Sequence, residues 1–325
     1  MRKNRLHVLT WLATGCVFFV MSAASCAEET KTTVENLRCE YLTDPIGIDI
    51  PGPRLTWNLS SRTHGLRQTA YRIDLGTDSL AVASGEIAGE KTESEDMLVF
   101  YTQGEFKPFT KYYWKVTVWA NDGEEYVSPV ANFEMGMMDR RNWQGEWISD
   151  GRSVDEKPAP YFRKEILLNK KVVSARAYIT SAGLYALSVN GRRVGDHHLD
   201  PMYTTFDTRT LYASYDVSHL LREGENAIGV ILGNGWYNHQ STAVWDFEKA
   251  YWRGRPSFLL NVRVTYDDGS VQTFVTDRSW KTTDQGPVIF NSIYTAEHYD
   301  TRKEMPGWNK HAYADSLWSQ SVAVK

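Results

Sequence analysis

The sequence predicts an all-β protein made of two antiparallel sandwiches. Three observations predict it. Short runs alternate apolar and polar residues with a period of two, as in Leu55-Thr56-Trp57-Asn58-Leu59 and Tyr71-Arg72-Ile73-Asp74-Leu75. Turn chemistry closes such runs at Asn121-Asp122-Gly123, Asn190-Gly191 and Asp268-Gly269. Helical periodicity is scarce, its best candidate being Val217 to Arg222 ahead of Gly224. The 325 residues are 42% hydrophobic and 13% aromatic, enough apolar mass for two cores, which excludes disorder as the main state. Lys+Arg 36 against Asp+Glu 40 leaves a net charge of −4, so no positive field favours nucleic acid.

The N-terminus reads as an address. Arg2, Lys3 and Arg5 precede an apolar stretch from Leu9 to Met21, and small residues follow up to Ser25. This is the layout of an export signal over 1–25. The apolar stretch falls short of the ~18 residues of a membrane span. Ala23-Ala24-Ser25-Cys26 resembles a loose lipobox lacking Leu or Val at its first position, which makes Cys26 the candidate lipidation site. The expected location is the periplasm or the outer membrane, with membrane contact only through the lipid. Cys16 leaves with the leader, and Cys39 then has no disulfide partner.

The first sandwich is expected over 32–136. Tyr112, Trp114, Val116 and Val118 share one face of a strand. Pro108 to Val116 resembles a late strand of a fibronectin type III-like domain, where a tyrosine (here Tyr112) hydrogen-bonds back across the sandwich corner. Residues 137–160 read as a linker, with Trp143 and Trp147 docking on a neighbouring surface. The second sandwich is expected over 161–308 and is jelly-roll-like. Its strands include Gly183–Val189, the fully apolar Ala227–Leu232, and the face Leu260, Val262, Val264, Tyr266. Residues 309–325 read as a tail.

A succession of short motifs runs through this second part. Pro160-Tyr161-Phe162-Arg163-Lys164 opens it, followed by Gly183-Leu184-Tyr185, Val189-Asn190-Gly191 and Val194-Gly195. Tyr215-Asp216-Val217, Gly224-Glu225-Asn226 and Gly233-Asn234-Gly235-Trp236-Tyr237 come next, then Thr276-Asp277-Arg278-Ser279-Trp280-Lys281 and Glu297 to Arg302. In this order they resemble the N-terminal region of bacterial α-L-rhamnosidases of glycoside hydrolase family 78, with a similar fibronectin-like domain in front. The resemblance implies hydrolysis of terminal α-L-rhamnose with inversion. It also implies that the catalytic carboxylates lie in a downstream (α/α)6 barrel. Such a barrel needs on the order of 200 residues and has no room between Trp308 and Lys325, so the chain is expected to be inactive alone. The barrel is then a missing or separately encoded partner.

No acid–base pair is legible in the sandwiches. Inverting hydrolysis needs carboxylates roughly 6.5–9.5 Å apart, and Asp196, Asp200, Asp207 and Asp246 read as loop residues without a pairing pattern. His197-His198 would face opposite ways on a strand and reads as a surface pair. A binding site is the better candidate. The loop from Gly233 to Pro256 holds Trp236, Tyr237, Trp245 and Trp252 beside Asn234, Asn238, His239 and Gln240. Flat aromatics beside directional hydrogen-bonding groups suit a sugar's apolar face and polar rim. The resemblance implies a rhamnose-binding module with a possible calcium ion, carried over to the loop around Asp207 and to the segment from Asn234 to Tyr237. The alternative is a structural or interaction module without sugar binding.

Overall fold

The structure, a computed structural model, describes residues 31–102, 104–242 and 245–324. The leader 1–25 and Cys26 lie outside the described residues. What is described is almost wholly strand, in two sandwiches, as expected.

In the first sandwich, Thr33–Cys39, Arg54–Ser60 and Leu98–Phe100 form one sheet. Gln68–Gly76, Lys111–Ala120 and Ala131–Met135 form the centre of the other. Alternation puts Tyr112, Trp114, Val116 and Val118 into the shared core with Leu55, Trp57 and Phe133. The Tyr112 hydroxyl accepts the Lys107 N–H at 3.0 Å, making the corner contact that the sequence pattern predicts. A six-residue helix, Ser79–Ser84, is capped by Asp78, which accepts from the Leu80 and Ala81 N–H groups.

The second sandwich pairs two antiparallel sheets. One runs Ala213–Asp216, Val172–Ala182, Ser257–Tyr266, Ile148–Ser149, Val322–Ala323. The other runs Arg192–Arg193, Leu184–Val189, Gly224–Gly233, Tyr161–Leu168, Lys281–Thr283, Ser319–Gln320. Val189 pairs with Arg192 across Asn190 and Gly191, whose φ values of 51° and 80° are those of the predicted two-residue turn. Phe162, Leu187, Val230 and Leu232 meet Ile179, Phe258, Leu260 and Val262 between the sheets.

Two boundaries differ from the sequence reading. Residues 137–160 are not a free linker, because Ile148–Ser149 is a strand inside the first of these sheets. Residues 309–325 are not a tail, because Ser319–Gln320 and Val322–Ala323 each extend a sheet and Trp318 is buried. Two-residue strands carry no readable period. The helical candidate at Val217 to Arg222 is a single 3-10 turn, Ser218–Leu220. Trp143 does dock, edge-on against Tyr212 with ring centroids 5.6 Å apart.

The sandwiches meet through polar and aromatic contacts. Arg176 donates to Glu134 at 2.9 Å, and the Tyr212 hydroxyl donates to Asp49 at 2.7 Å while accepting the Met137 N–H at 2.9 Å. Phe109 packs edge-on against Tyr178 at 5.5 Å.

Segment 150–158 is held to the second sandwich by Arg255. Its guanidinium pairs with Asp150 at 2.7 Å and donates to the Glu156 and Pro158 carbonyls, both at 2.9 Å. The paired side chains are 6% and 2% exposed. Arg255→Met would leave the Asp150 carboxylate buried without its cation, which costs about 3–5 kcal/mol. Urea unfolding should show a matching fall in midpoint, and an unchanged midpoint would contradict this role.

Candidate binding site

Strand Gly224–Gly233 ends at the rim of the sandwich, and the chain re-enters the opposite sheet only at Ser257. The intervening loop starts as a turn at Asn234. The Asn234 N–H donates to Asn291 Oδ1 at 2.7 Å, and its Nδ2 donates to the Asn291 carbonyl at 3.0 Å. Its Oδ1 accepts from Asn238 Nδ2 at 3.1 Å. Asn234 is buried, and these bonds occupy its amide, so it shapes the turn rather than facing solvent.

Trp236 is half-buried at the centre of an aromatic cluster. Its ring lies 6.2 Å from Tyr203, 5.3 Å from Phe247 and 5.4 Å from Tyr294. Tyr203 leads to Phe206 at 5.5 Å, and Phe206 to Tyr237 at 5.2 Å. Phe247 leads to Trp252 at 6.2 Å, and Trp252 to Tyr251 at 5.2 Å. The Tyr251 hydroxyl donates to Asp207. Five of the six sequence-predicted positions, Asp207, Asn234, Trp236, Tyr237 and Trp252, therefore stand in one neighbourhood. Gly254 is needed there, since a Cβ would come 2.4 Å from the Tyr237 hydroxyl oxygen. Trp245 stands apart from these ring contacts and is 69% exposed.

The sequence reading missed Tyr203, Phe206 and Tyr294. Tyr203-Thr204-Thr205-Phe206 beside Asp207 offered a signal, whereas nothing near Tyr294 pointed to Trp236. The histidine pair is on the surface, with His197 Nδ1 3.1 Å from Asp200 and His198 Nδ1 3.1 Å from Arg193.

Eight buried side-chain polar atoms lack a hydrogen-bond partner among the described residues. Four of them belong to this loop: His239 Nδ1, Gln240 Oε1, Glu248 Oε2 and Trp252 Nε1. Unpaired buried polar atoms are costly, so these four weaken the interior of the loop. Calcium fits the same place poorly. It takes six to eight oxygens, no three His, Cys, Asp or Glu side chains converge among the described residues, and Asp207 is already engaged by Tyr251.

Fold and site together define a tandem β-sandwich region whose second sandwich carries a preorganised aromatic loop. The comparisons place it. Residues 170–325 match the family model of the alpha-L-rhamnosidase N-terminal domain, and residues 34–139 match the Rha78A-like N-terminal immunoglobulin domain. An alpha-L-rhamnosidase of Formosa agariphila is 34% identical over 331 residues, covering 90% of this chain and 34% of that protein. The solved structure of the alpha-L-rhamnosidase from Dictyoglumus thermophilum superposes with a TM-score of 0.83 at 36% identity, over 90% of this chain and 34% of that one. The Streptomyces avermitilis alpha-L-rhamnosidase, solved with L-rhamnose, shares the fold with a TM-score of 0.81 at 20% identity, over 91% of this chain and 45% of that one. The chain belongs to the N-terminal, non-catalytic region of the α-L-rhamnosidases of glycoside hydrolase family 78. It spans about a third of the length of the curated relatives it matches.

His239 makes the loop sensitive to acid. The ring is 1% exposed, and burial holds its pKa below the ordinary 6.5 against the opposing pull of Glu248. As pH falls the unfolded chain takes up this proton first. The stability His239 contributes is therefore present above about pH 6.5 and lost as pH drops through the folded value. Asp277 titrates lower: burial raises it, but hydrogen bonds from Lys164 and Ser279 outweigh burial and hold it below 3.8. The melting temperature should fall between pH 7.5 and 5.5, and His239→Gln should flatten that fall. An identical fall in the variant would refute the assignment.

Proposed function

We propose that the chain is the carbohydrate-holding region of an exported α-L-rhamnosidase that removes terminal α-L-rhamnose from glycans or glycosides. Hydrolysis would be carried out, with inversion, by a catalytic barrel elsewhere in the protein or in a separately encoded partner. The relatives' names support the substrate class. One observation carries the binding role. Tyr251 and Trp245 in this loop are 78% and 69% exposed, and Tyr203, 51% exposed, stands beside it, so several aromatic faces are open at one end of the sandwich. Open ring faces of this kind suit the apolar face of a pyranose.

A second reading has its own support. Leu199 and Met202, 70% and 73% exposed, extend the apolar surface beside Tyr203, which suits docking of another domain. Sugar titration separates the two. L-Rhamnose should bind with a dissociation constant on the order of 0.1–1 mM. Trp245→Ala should weaken this about tenfold with an unchanged melting temperature, because its ring is 69% exposed and makes no aromatic contact among the described residues. Trp236→Ala should lower the melting temperature by several degrees, since three ring contacts depend on it. No heat at millimolar rhamnose, with a normal melting curve, would leave the docking reading standing.

For location, we read residues 1–25 as a leader and Cys26 as the lipidated N-terminus of a periplasmic or outer-membrane lipoprotein. Cys26→Ala should release the protein from the membrane fraction or leave it unprocessed. A fully anchored, normally processed variant would show the assignment to be wrong. One acyl chain binds membranes marginally, so stable anchoring requires more than one.

A further inference from the structure

The outer face of the sheet containing Leu184–Val189 and Gly224–Gly233 is covered unevenly. Trp308 lies over Gly229, where an added Cβ would come 2.8 Å from the indole. Ile231 packs against the cluster of Tyr161, Val288 and Trp318. Towards the loop end the cover stops. Leu187, Val230 and Leu232 point into the core, so Leu184, Ala186 and Ile231 point outward. There they floor an open cleft of about 480 Å³. Val288 and Ile293 line it as well, together with the polar Arg193, His198, Asn291, Ser292 and Glu297. Its size is that of a small-molecule site.

The cleft and the aromatic cluster are joined along the chain at two points. Gly235 lines the cleft and Trp236 follows it; Ile293 lines the cleft and Tyr294 follows it. The Trp236 and Tyr294 rings are 5.4 Å apart. Consecutive Cα atoms are ~3.8 Å apart, so the backbone that lines the cleft also carries these two rings. Their chemistries differ. The loop offers exposed ring faces, whereas Leu184, Ala186 and Ile231 make the cleft floor aliphatic. A hexopyranose has hydroxyls around its whole edge and gains little on an aliphatic floor, while a hydrocarbon or aryl group gains from leaving water.

We propose that this cleft receives the apolar non-sugar group of a glycoside whose terminal sugar rests on the aromatic loop. The proposal builds on the sugar-binding reading above and narrows its ligand from rhamnose-bearing carbohydrate in general to apolar glycosides. The test compares methyl α-L-rhamnoside with 4-nitrophenyl α-L-rhamnoside by calorimetric titration of the full chain. The aryl glycoside should bind at least about tenfold more tightly. Ala186→Phe fills the floor and Ile293→Asp, on an exposed turn, makes the lining more polar. Each should bring the aryl glycoside down to the affinity of the methyl glycoside and leave the methyl glycoside unchanged. Should Ala186→Phe fail to fold, Ile293→Asp carries the test. Equal wild-type affinities, or an aryl gain that survives Ile293→Asp, overturn the cleft while leaving the sugar site intact. Binding of neither glycoside at millimolar concentration overturns the sugar site and the cleft with it.

Discussion

Irregular chain laid against a sheet must find donors for the carbonyls it buries. In the second sandwich two sealed arginines supply them. Arg255 donates to the carbonyls of Glu156 and Pro158 and pairs with Asp150. Arg163, 2% exposed, donates to the carbonyls of Trp308 and Lys310 and pairs with Glu165 and Asp315. A guanidinium suits this task because it presents several donors in a fixed fork and stays charged. Its carboxylate partners keep the buried charge compensated. The consequence is a third layer: segment 305–318 covers the outer face of one sheet, with Trp308 and Trp318 stacked at 6.2 Å within it, while segment 150–158 is tied to the loop beside it.

The loop site hangs from the same fastening. Asn238 and Gln240 donate to the Val154 carbonyl at 2.9 and 3.1 Å, and Gln240 donates to the Glu156 carbonyl at 2.8 Å. Arg253 donates to Asn238 Oδ1 at 2.9 Å and to Asp155 at 2.6 Å. The base of the aromatic loop is thus bonded to the segment that Arg255 holds down. Disturbance of that segment reaches the ring cluster through hydrogen bonds rather than through packing alone. The loop's order has a structural origin distinct from the sandwich core.

The sandwich strands were legible because their alternation and turns are local. Val189-Asn190-Gly191-Arg192 specifies its hairpin within four residues, and Tyr112 announces its corner within one strand. The covering layer was not legible. Ile148 and Trp318 sit in polar surroundings along the chain, and what makes them core residues is a strand more than a hundred residues away in sequence. Most of the site's aromatic members could be read off one loop. Tyr203 had a signal only in its place beside Asp207, and Tyr294 had none, since each comes from a separate connection and joins Trp236 only in space. Asn234 shows the opposite case: a polar residue at the right spot in the sequence is consumed by holding the turn.

How the rings are packed limits how they can be used. Trp236 meets its neighbours edge-on or tilted, at 71° to Tyr203, 58° to Phe247 and 82° to Tyr294, so its surroundings consume much of its surface. A ring so placed cannot also offer an open face to a sugar. It can hold Tyr203 and Tyr294 in fixed orientations, and both of those remain half exposed. Fixing a platform in advance removes rotamer entropy that binding would otherwise have to overcome, which matters most for a ligand as small as a monosaccharide. Trp245 has no such ring contact among the described residues and is 69% exposed. The loop thus divides into a central ring that orders its neighbours, outer rings that remain open to solvent, and one exposed tryptophan outside the cluster.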